Sequence, residues 1–131
     1  MIRKWSGRLL GAILVMALAD GCLLGVGAAL GIGAYQWMEG TMAKDYPRTM
    51  EPTYKACVKA CNTMKLTIKK ESYSVMHSSI VATTPAGMNV NIELLARPNN
   101  ITTVKVRFGL MGDKDQSAYF HRLVMKELGV E

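Results

Sequence analysis

Two stretches in the second half of the chain alternate apolar and polar side chains with a period of two residues. The first is MNVNIEL (residues 88–94) and the second is TTVKVRF (residues 102–108). Such alternation is typical of antiparallel strands that bury one face and leave the other in solvent, so Lys105 and Arg107 are expected to face outward. Pro98-Asn99-Asn100 lies between them and is a turn signal, so these stretches predict a β-hairpin.

Two further strands are predicted before this hairpin. KLTIKKESYS (residues 65–74) places Leu66 and Ile68 on one face, and SSIVATT (residues 78–84) is a short β-branched run. A Pro-Ala-Gly turn follows at residues 85–87. Because the connections are short, we expect the four strands to be neighbours in one antiparallel meander.

A helix is predicted on each side of the strands. Residues 47–64 carry their apolar side chains along one helical stripe, and Pro52 restricts the start of this helix to residues 49–51. A final helix is predicted from about residue 115 to residue 128, where Gly129 ends it.

These elements predict a two-layer α+β domain over residues 47–131. The expected fold is a four-stranded antiparallel meander in the order α-β-β-β-β-α. Neither helix connects a parallel pair of strands, so we expect the N-terminal and C-terminal helices to cover one face of the sheet together.

Residues 1–21 have the layout of a lipoprotein signal peptide. MIRKWSGR carries three basic residues, and Leu9–Ala19 follows as an uncharged run of eleven residues. This run is shorter than the about twenty apolar residues that a membrane-spanning helix needs. We therefore expect cleavage before Cys22 and attachment of acyl chains such as palmitate to Cys22.

Residues 22–46 are predicted to be a Gly/Ala-rich, apolar tether next to the membrane. Tyr35 and Trp37 suit the membrane–water boundary, where an apolar ring and a polar edge are both satisfied. Leu23 follows the cysteine where many bacteria place an acidic residue to retain lipoproteins at the inner membrane. We therefore expect a lipid-anchored protein of the cell envelope at the periplasmic face of the outer membrane.

Two other interpretations of the N-terminal segment stay open. Ala19-Asp20-Gly21 departs from the residues that usually precede a lipidated cysteine. In the first alternative, a signal peptidase cuts after Ala19 and releases a soluble secreted protein. Alternatively, Leu9–Ala34 crosses the bilayer once as an uncleaved anchor. That arrangement would place Asp20 near the bilayer centre, at a cost of about 2.5–3.5 kcal/mol.

The cysteines and histidines predict no metal or redox site. Cys57 and Cys61 lie one turn apart on the apolar stripe of the first helix, where small buried side chains are expected. A zinc site would need two more ligands, and the histidines, His77 and His121, fall in separate predicted elements. We therefore expect no cofactor.

A serine, a histidine and two acids lie close together in sequence near the final helix. Ser117, His121 and either Asp113 or Asp115 could be drawn as a hydrolase triad, but no sequence signal predicts a nucleophile elbow or an oxyanion hole. Ser117 and the aspartates are better interpreted as residues of the helix start, and His121 as a surface or boundary histidine. The chain is therefore not predicted to be an enzyme.

The net charge of +6 gives little support for nucleic-acid binding. The basic residues are scattered and are not interleaved with aromatic ones, as a nucleic-acid surface would require. Attraction to an anionic membrane suits the same charge. The expected partners are therefore the lipid bilayer, through the N-terminal anchor, and an envelope protein.

The order of several motifs resembles the Flpp-three-like group of small bacterial lipoproteins, a family of unknown function. The shared features are Gly21-Cys22, the Gly-rich GVGAALGIGAYQW, then EGTMAKDYP, and finally VRFGLMGDKDQS before the last helix. The resemblance extends over nearly the whole chain. It implies an envelope-located domain with two helices and an antiparallel sheet, and it brings no catalytic residues.

The sequence leaves two functions open. The first is a non-enzymatic, membrane-anchored envelope lipoprotein that binds a partner or has a structural role. The second is a carrier that holds an apolar ligand such as an acyl chain between helices and sheet. The residues expected to line its pocket share an apolar, inward-facing position: Met50, Met88, Val90, Ile92, Val104, Phe108, Phe120 and Leu123.

Overall fold

The computed structural model describes residues 35–130, which form one antiparallel sheet and two helices. The elements are β1 (Gln36–Met38), β2 (Thr41–Tyr46), α1 (Met50–Thr63), β3 (Thr67–Ser72), β4 (His77–Thr83), β5 (Asn89–Arg97), β6 (Ile101–Phe108) and α2 (Lys114–Leu128). The six strands are arranged in the order β1-β2-β6-β5-β4-β3.

The predicted four-stranded sheet is wrong, because the sheet has six strands. The two additional strands, β1 and β2, come from residues 36–46, which the sequence analysis assigned to the tether. Glu39 and Gly40 form the two-residue turn between them, with φ angles of 50° and 89°. Positive φ at both positions produces a turn whose twist matches that of two antiparallel strands. The sheet therefore begins before Pro47.

The additional hairpin joins the sheet next to the last strand. Residues Met42–Tyr46 of β2 pair with residues 102–106 of β6, whereas β3 to β6 follow one another as consecutive neighbours. The β5–β6 turn contains Asn99 and Asn100 with φ angles of 65° and 57°, a conformation that asparagine tolerates well. β6 thus lies in the interior of the sheet, and β1 and β3 form its edges.

Both helices have the ends that their sequences predict. α1 begins at Met50 after Thr49 and keeps Pro52 within its first turn. The Asp113 carboxylate accepts a hydrogen bond from the backbone N–H of Gln116 and caps the start of α2. Gly129 ends α2 in a left-handed conformation.

The core lies between the helices and one face of the sheet. Alternate residues of β2, β5 and β6 point into it, among them Met42, Val90 and Val106. Phe120 and Val124 of α2 pack against them, and both are fully buried. Burial of such side chains stabilises the fold by about 1.5–3 kcal/mol each. The opposite face of the sheet carries neither helix and stays open.

Cys22, the predicted signal peptide, and the part of the predicted tether before Tyr35 lie outside the described residues. Within residues 35–130, no helix has the length and apolar character needed to cross a membrane.

Candidate functional site

The open face of the sheet forms a concave depression with a volume of about 1080 Å³. It extends from β1 to β4. Its lining combines cationic, polar and small apolar side chains, including Gln36, Asp45, Glu93, Arg97, Thr103, Lys105 and Arg107. This mixture suits the binding of a polar chain, and we take the face as the candidate site.

Three side chains are linked across the end of the depression where β2 pairs with β6. The Arg97 Nε donates a hydrogen bond to the Thr103 hydroxyl at 3.1 Å, and that hydroxyl donates to the Asp45 carboxylate. Thr103 is almost fully buried although it points to the open side. The chain of bonds fixes the Asp45 carboxylate and occupies one of its oxygen atoms.

A second carboxylate on the face is also engaged. Glu93 on β5 lies 3.0 Å from Nε2 of His77 on β4, and both side chains are exposed. Glu93 is the cross-strand partner of Lys105, yet residues 35–130 contain no ion pair of Lys105 within 4.0 Å. The ammonium group of Lys105 is therefore left facing the depression without a carboxylate.

Arg107 is the cation closest to the loop before α2. Its Nη2 donates to the backbone carbonyl of Leu110, while its Nε is buried and has no hydrogen-bond acceptor among the described residues. A buried donor without a partner is uncommon in folded proteins. The Arg107 guanidinium thus has hydrogen-bonding capacity that the described residues do not use.

A different polar cluster lies inside the domain, between β2 and α2. The Nε2 atom of His121 donates to the backbone carbonyl of Met42 at 3.0 Å, and the Tyr46 hydroxyl donates to Nδ1 at 2.6 Å. A carbonyl only accepts, so Nε2 carries the proton of the neutral ring. Burial lowers the pKa of His121 to about 4. The prediction of a surface or boundary position for His121 is wrong, because its side chain is fully buried.

Lys44 is the unexpected member of this cluster. It lies on the inward face of β2 between Met42 and Tyr46, and its ammonium group is 5.0 Å from the centre of the Tyr35 ring. Burial lowers the pKa of Lys44, whereas the neighbouring Asp45 raises it by a smaller amount. Contact with ring faces offsets part of the cost of burying a cation.

The residues drawn as a hydrolase triad are not assembled as one. The Asp113 carboxylate bonds to Gln116, and both ring nitrogens of His121 are occupied by Tyr46 and Met42. Ser117 is buried, and its hydroxyl has no hydrogen-bond partner among the described residues. The arrangement provides no base for that hydroxyl, so it gives no activated nucleophile.

Cys57 and Cys61 are buried on α1 as free thiols. Burial raises the pKa of Cys57, and it raises the pKa of Cys61 to about 12. A thiolate is the reactive form, so both side chains are inert at neutral pH. Residues 35–130 contain no group of three His, Cys, Asp or Glu side chains placed to hold a metal ion.

The residues expected to line an apolar pocket lie mainly in the core. The six that are fully or almost fully buried are Met50, Val90, Ile92, Val104, Phe108 and Phe120. Leu123 is partly buried against this core, whereas Met88 precedes β5 and is exposed. The depression of about 1080 Å³ lies on the other face of the sheet, so a ligand pocket between helices and sheet stays a prediction.

The sequence did not reveal the open face as a site, because the outward residues of its strands were interpreted only as solvent-exposed. Lys105 and Arg107 were recognised as outward-facing, but β1 and β2 were not predicted. The signal that could have found them is Glu39-Gly40, a two-residue turn between Trp37-Met38 and Thr41-Met42. The inward Lys44 weakens the alternation of β2 and hides it.

Residues 6–127 match the family described as "Protein of unknown function (DUF3568)". The chain belongs to this family. The match covers both helices except the last residue of α2, all six strands, and the whole of the N-terminal apolar segment. A comparison with curated proteins gave no match.

Proposed function

We propose that this member of the DUF3568 family is a non-enzymatic lipoprotein of the bacterial cell envelope that binds a partner through the open face of its sheet. The observation that carries the proposal is the concave face lined by Lys105, Arg107 and Arg97. Such a surface can bind a partner through hydrogen bonds and charge contacts without catalysing a reaction. The resemblance to the Flpp-three-like lipoproteins supports the envelope location.

Three side chains of types that commonly perform catalysis, His121, Cys57 and Cys61, are engaged in packing within residues 35–130. His121 holds two hydrogen bonds inside the domain, and the thiols of Cys57 and Cys61 are protonated at neutral pH. The remaining histidine, His77, lies exposed beside Glu93. This use of the titratable groups supports a binding role.

The N-terminal part of the proposal concerns Cys22. Its position after an uncharged run of eleven residues supports cleavage before Cys22 and acylation, with the lipid bilayer as the first partner. Two acyl chains would hold the protein stably on a membrane, since one chain gives only marginal binding. The periplasmic face of the outer membrane is the proposed location.

Metabolic labelling with palmitate tests the anchor. The full chain is expected to be labelled and recovered in the membrane fraction, and Cys22→Ser is expected to lose the label. Cys57→Ser is the matched control, because its thiol is buried in the folded domain. Equal labelling of the full chain and Cys22→Ser would exclude the lipoprotein. Membrane recovery without label would favour the single-pass anchor over residues 9–34.

Site-specific photo-crosslinking in the bacterial host tests the binding face. A photoreactive side chain at Asn91 faces the depression, and one at Lys55 faces solvent on α1. We expect a discrete cross-linked product from position 91 and none from position 55. Products of equal yield from both positions, or from neither, would contradict binding at the open face.

The carrier of an apolar ligand is the alternative function. It requires the layer between helices and sheet to open, whereas the depression lies on the opposite face. The observed surface therefore favours partner binding.

A further inference from the structure

The open face has an imbalance between its cations and its carboxylates. Asp45 is bound by the Thr103 hydroxyl, and Glu93 is bound by His77. Arg97, Lys105 and Arg107 take part in none of the ion pairs formed within residues 35–130. The depression therefore carries three cations against two carboxylates, and its net charge is positive.

The three cations differ in how many of their hydrogen-bond donors are used by the described residues. Arg97 donates through Nε to Thr103, and Arg107 donates through Nη2 to the Leu110 carbonyl. These acceptors are neutral, so neither guanidinium has an anionic partner. The buried Nε of Arg107 has no acceptor at all among residues 35–130. Arginine binds carboxylates through paired parallel hydrogen bonds, which makes a carboxylate the natural complement.

The sheet register sets the spacing of the cations. Lys105 and Arg107 are two residues apart on β6 and point to the same face, so their Cα atoms are about 7 Å apart. Arg97 is the cross-strand partner of Ile101, which places it about 13 Å beyond Lys105 along the strand direction. An extended peptide has the same repeat, because its alternate side chains also point to one side.

The surface between the cations suits a peptide backbone and small side chains. Ile101 on β6 supplies an apolar contact, and the amide of Asn91 on β5 can bond to main-chain groups. Lys105 and Asn91 flank the centre of the face on neighbouring strands. An extended chain lying along β6 would contact Ile101 and pass beside Asn91, whereas β1 and β4 each lie two strands away.

From this register we propose that the face binds an extended acidic segment of a protein partner. Two carboxylates, two residues apart, would contact Lys105 and Arg107, and a third, four residues further along, would contact Arg97. The inference deepens the proposed function, on which it rests, by naming the partner's chemistry. The excess of cations on this face favours an acidic protein segment.

Fluorescence anisotropy with the full-length, detergent-solubilised protein tests the inference. The probe is a labelled seven-residue peptide with Glu at its first, third and seventh positions and Thr or Val between them. A second probe replaces each Glu with Gln. We expect saturable binding of the first probe only, and weaker binding as the salt concentration rises from about 50 to about 200 mM.

Paired variants with equal charge changes provide the control. Lys105→Gln with Arg107→Gln is expected to weaken binding by about tenfold or more, because two charge contacts are lost. Lys55→Gln with Lys59→Gln removes two exposed lysines of α1 and is expected to leave binding within about twofold. Equal weakening by both pairs would reduce the interaction to general charge attraction and overturn the proposal.

Other results separate the inference from the proposed function. If the peptide fails to bind but cross-linking at position 91 persists in cells, the acidic segment is wrong and the binding face stands. If vesicles of anionic lipid bind through Lys105 and Arg107 while the peptide does not, the occupant is a membrane surface and the proposal is overturned. If the peptide fails and position 91 gives no product, both are wrong.

Discussion

The phenolic hydroxyl of Tyr46 lies 2.6 Å from Nδ1 of His121, and this buried hydrogen bond joins strand β2 to helix α2. The other ring nitrogen of His121 donates to the carbonyl of Met42 on the same strand. One imidazole thus connects the additional hairpin to the second helix. Because the site is buried, loss of either bond leaves a polar group without a hydrogen-bond partner, since water does not reach it.

The first prediction concerns acid. Burial lowers the pKa of His121 from about 6.5 in the unfolded chain to about 4 in the fold, so the unfolded state binds the proton more readily. The resulting stabilisation is fully present above about pH 6.5 and is lost as the pH falls toward 4, by about 3 kcal/mol. Urea unfolding of the full chain between these values measures the loss.

His121→Gln should flatten this part of the pH profile, because Gln does not titrate. His77→Gln is the matched control, since His77 is exposed, and it should leave the profile steep. Identical profiles for the unchanged protein and His121→Gln would assign the pH dependence to other groups.

The second prediction concerns the Tyr46 hydroxyl. Tyr46→Phe keeps the ring but leaves Nδ1 of His121 without a donor in a buried site. The free energy of unfolding should fall by about 1–3 kcal/mol. Tyr119→Phe removes a hydroxyl from an exposed ring of α2 and should change stability by less than about 0.5 kcal/mol. Equal effects of the two changes would show that the buried hydrogen bond is not stabilising.

The third prediction concerns the close approach of Gly40 and Gly112. A Cβ atom at Gly112 would collide with the backbone of Gly40, where the β1–β2 turn meets the loop before α2. Gly112→Ala should therefore destabilise the fold by about 2 kcal/mol more than a change at a glycine with free space. Gly87 provides that control, because its φ of 90° is similar to the 82° of Gly112 and nothing lies near its Cβ position.

Chemical denaturation of Gly112→Ala and Gly87→Ala measures the difference directly. Gly87→Ala should cost about 1 kcal/mol from its backbone conformation alone. If both variants lose the same stability, the contact between the hairpin and the loop contributes nothing.

The fourth prediction concerns the two buried thiols. In the Cys22→Ser background, Cys57 and Cys61 should not react with a thiol reagent in the native state and should both react after denaturation. Replacing both with Ala should cost about 1–3 kcal/mol through lost packing, with no dependence on metal or reductant. Rapid native labelling, or a large change in melting temperature with reductant, would contradict a structural role.

The sequence by itself determined the elements whose patterns are local. Alternation in MNVNIEL and TTVKVRF located β5 and β6, and the turn residues between them fixed their hairpin. Gly129 marked the end of α2, and Asp113 and Asp115 were the two candidates for its start, of which Asp113 is the cap, since capping depends on neighbouring residues alone. The outward positions of Lys105 and Arg107, which form part of the candidate site, followed from the same alternation.

Only the tertiary structure decided where β2 pairs, and several features depend on that pairing. β1 has only three residues and β2 contains an inward-facing lysine, so their sequences give only weak signals for strand formation. They form strands because the side of β6 that β5 leaves unpaired supplies hydrogen-bond partners for β2, and β2 in turn pairs with β1. That pairing buries His121 beneath Met42 and Tyr46 and brings Asp45 to Thr103 on the open face. Contacts between residues far apart in sequence leave no periodic trace, so the sheet's width and its concave open face arise only when the chain folds.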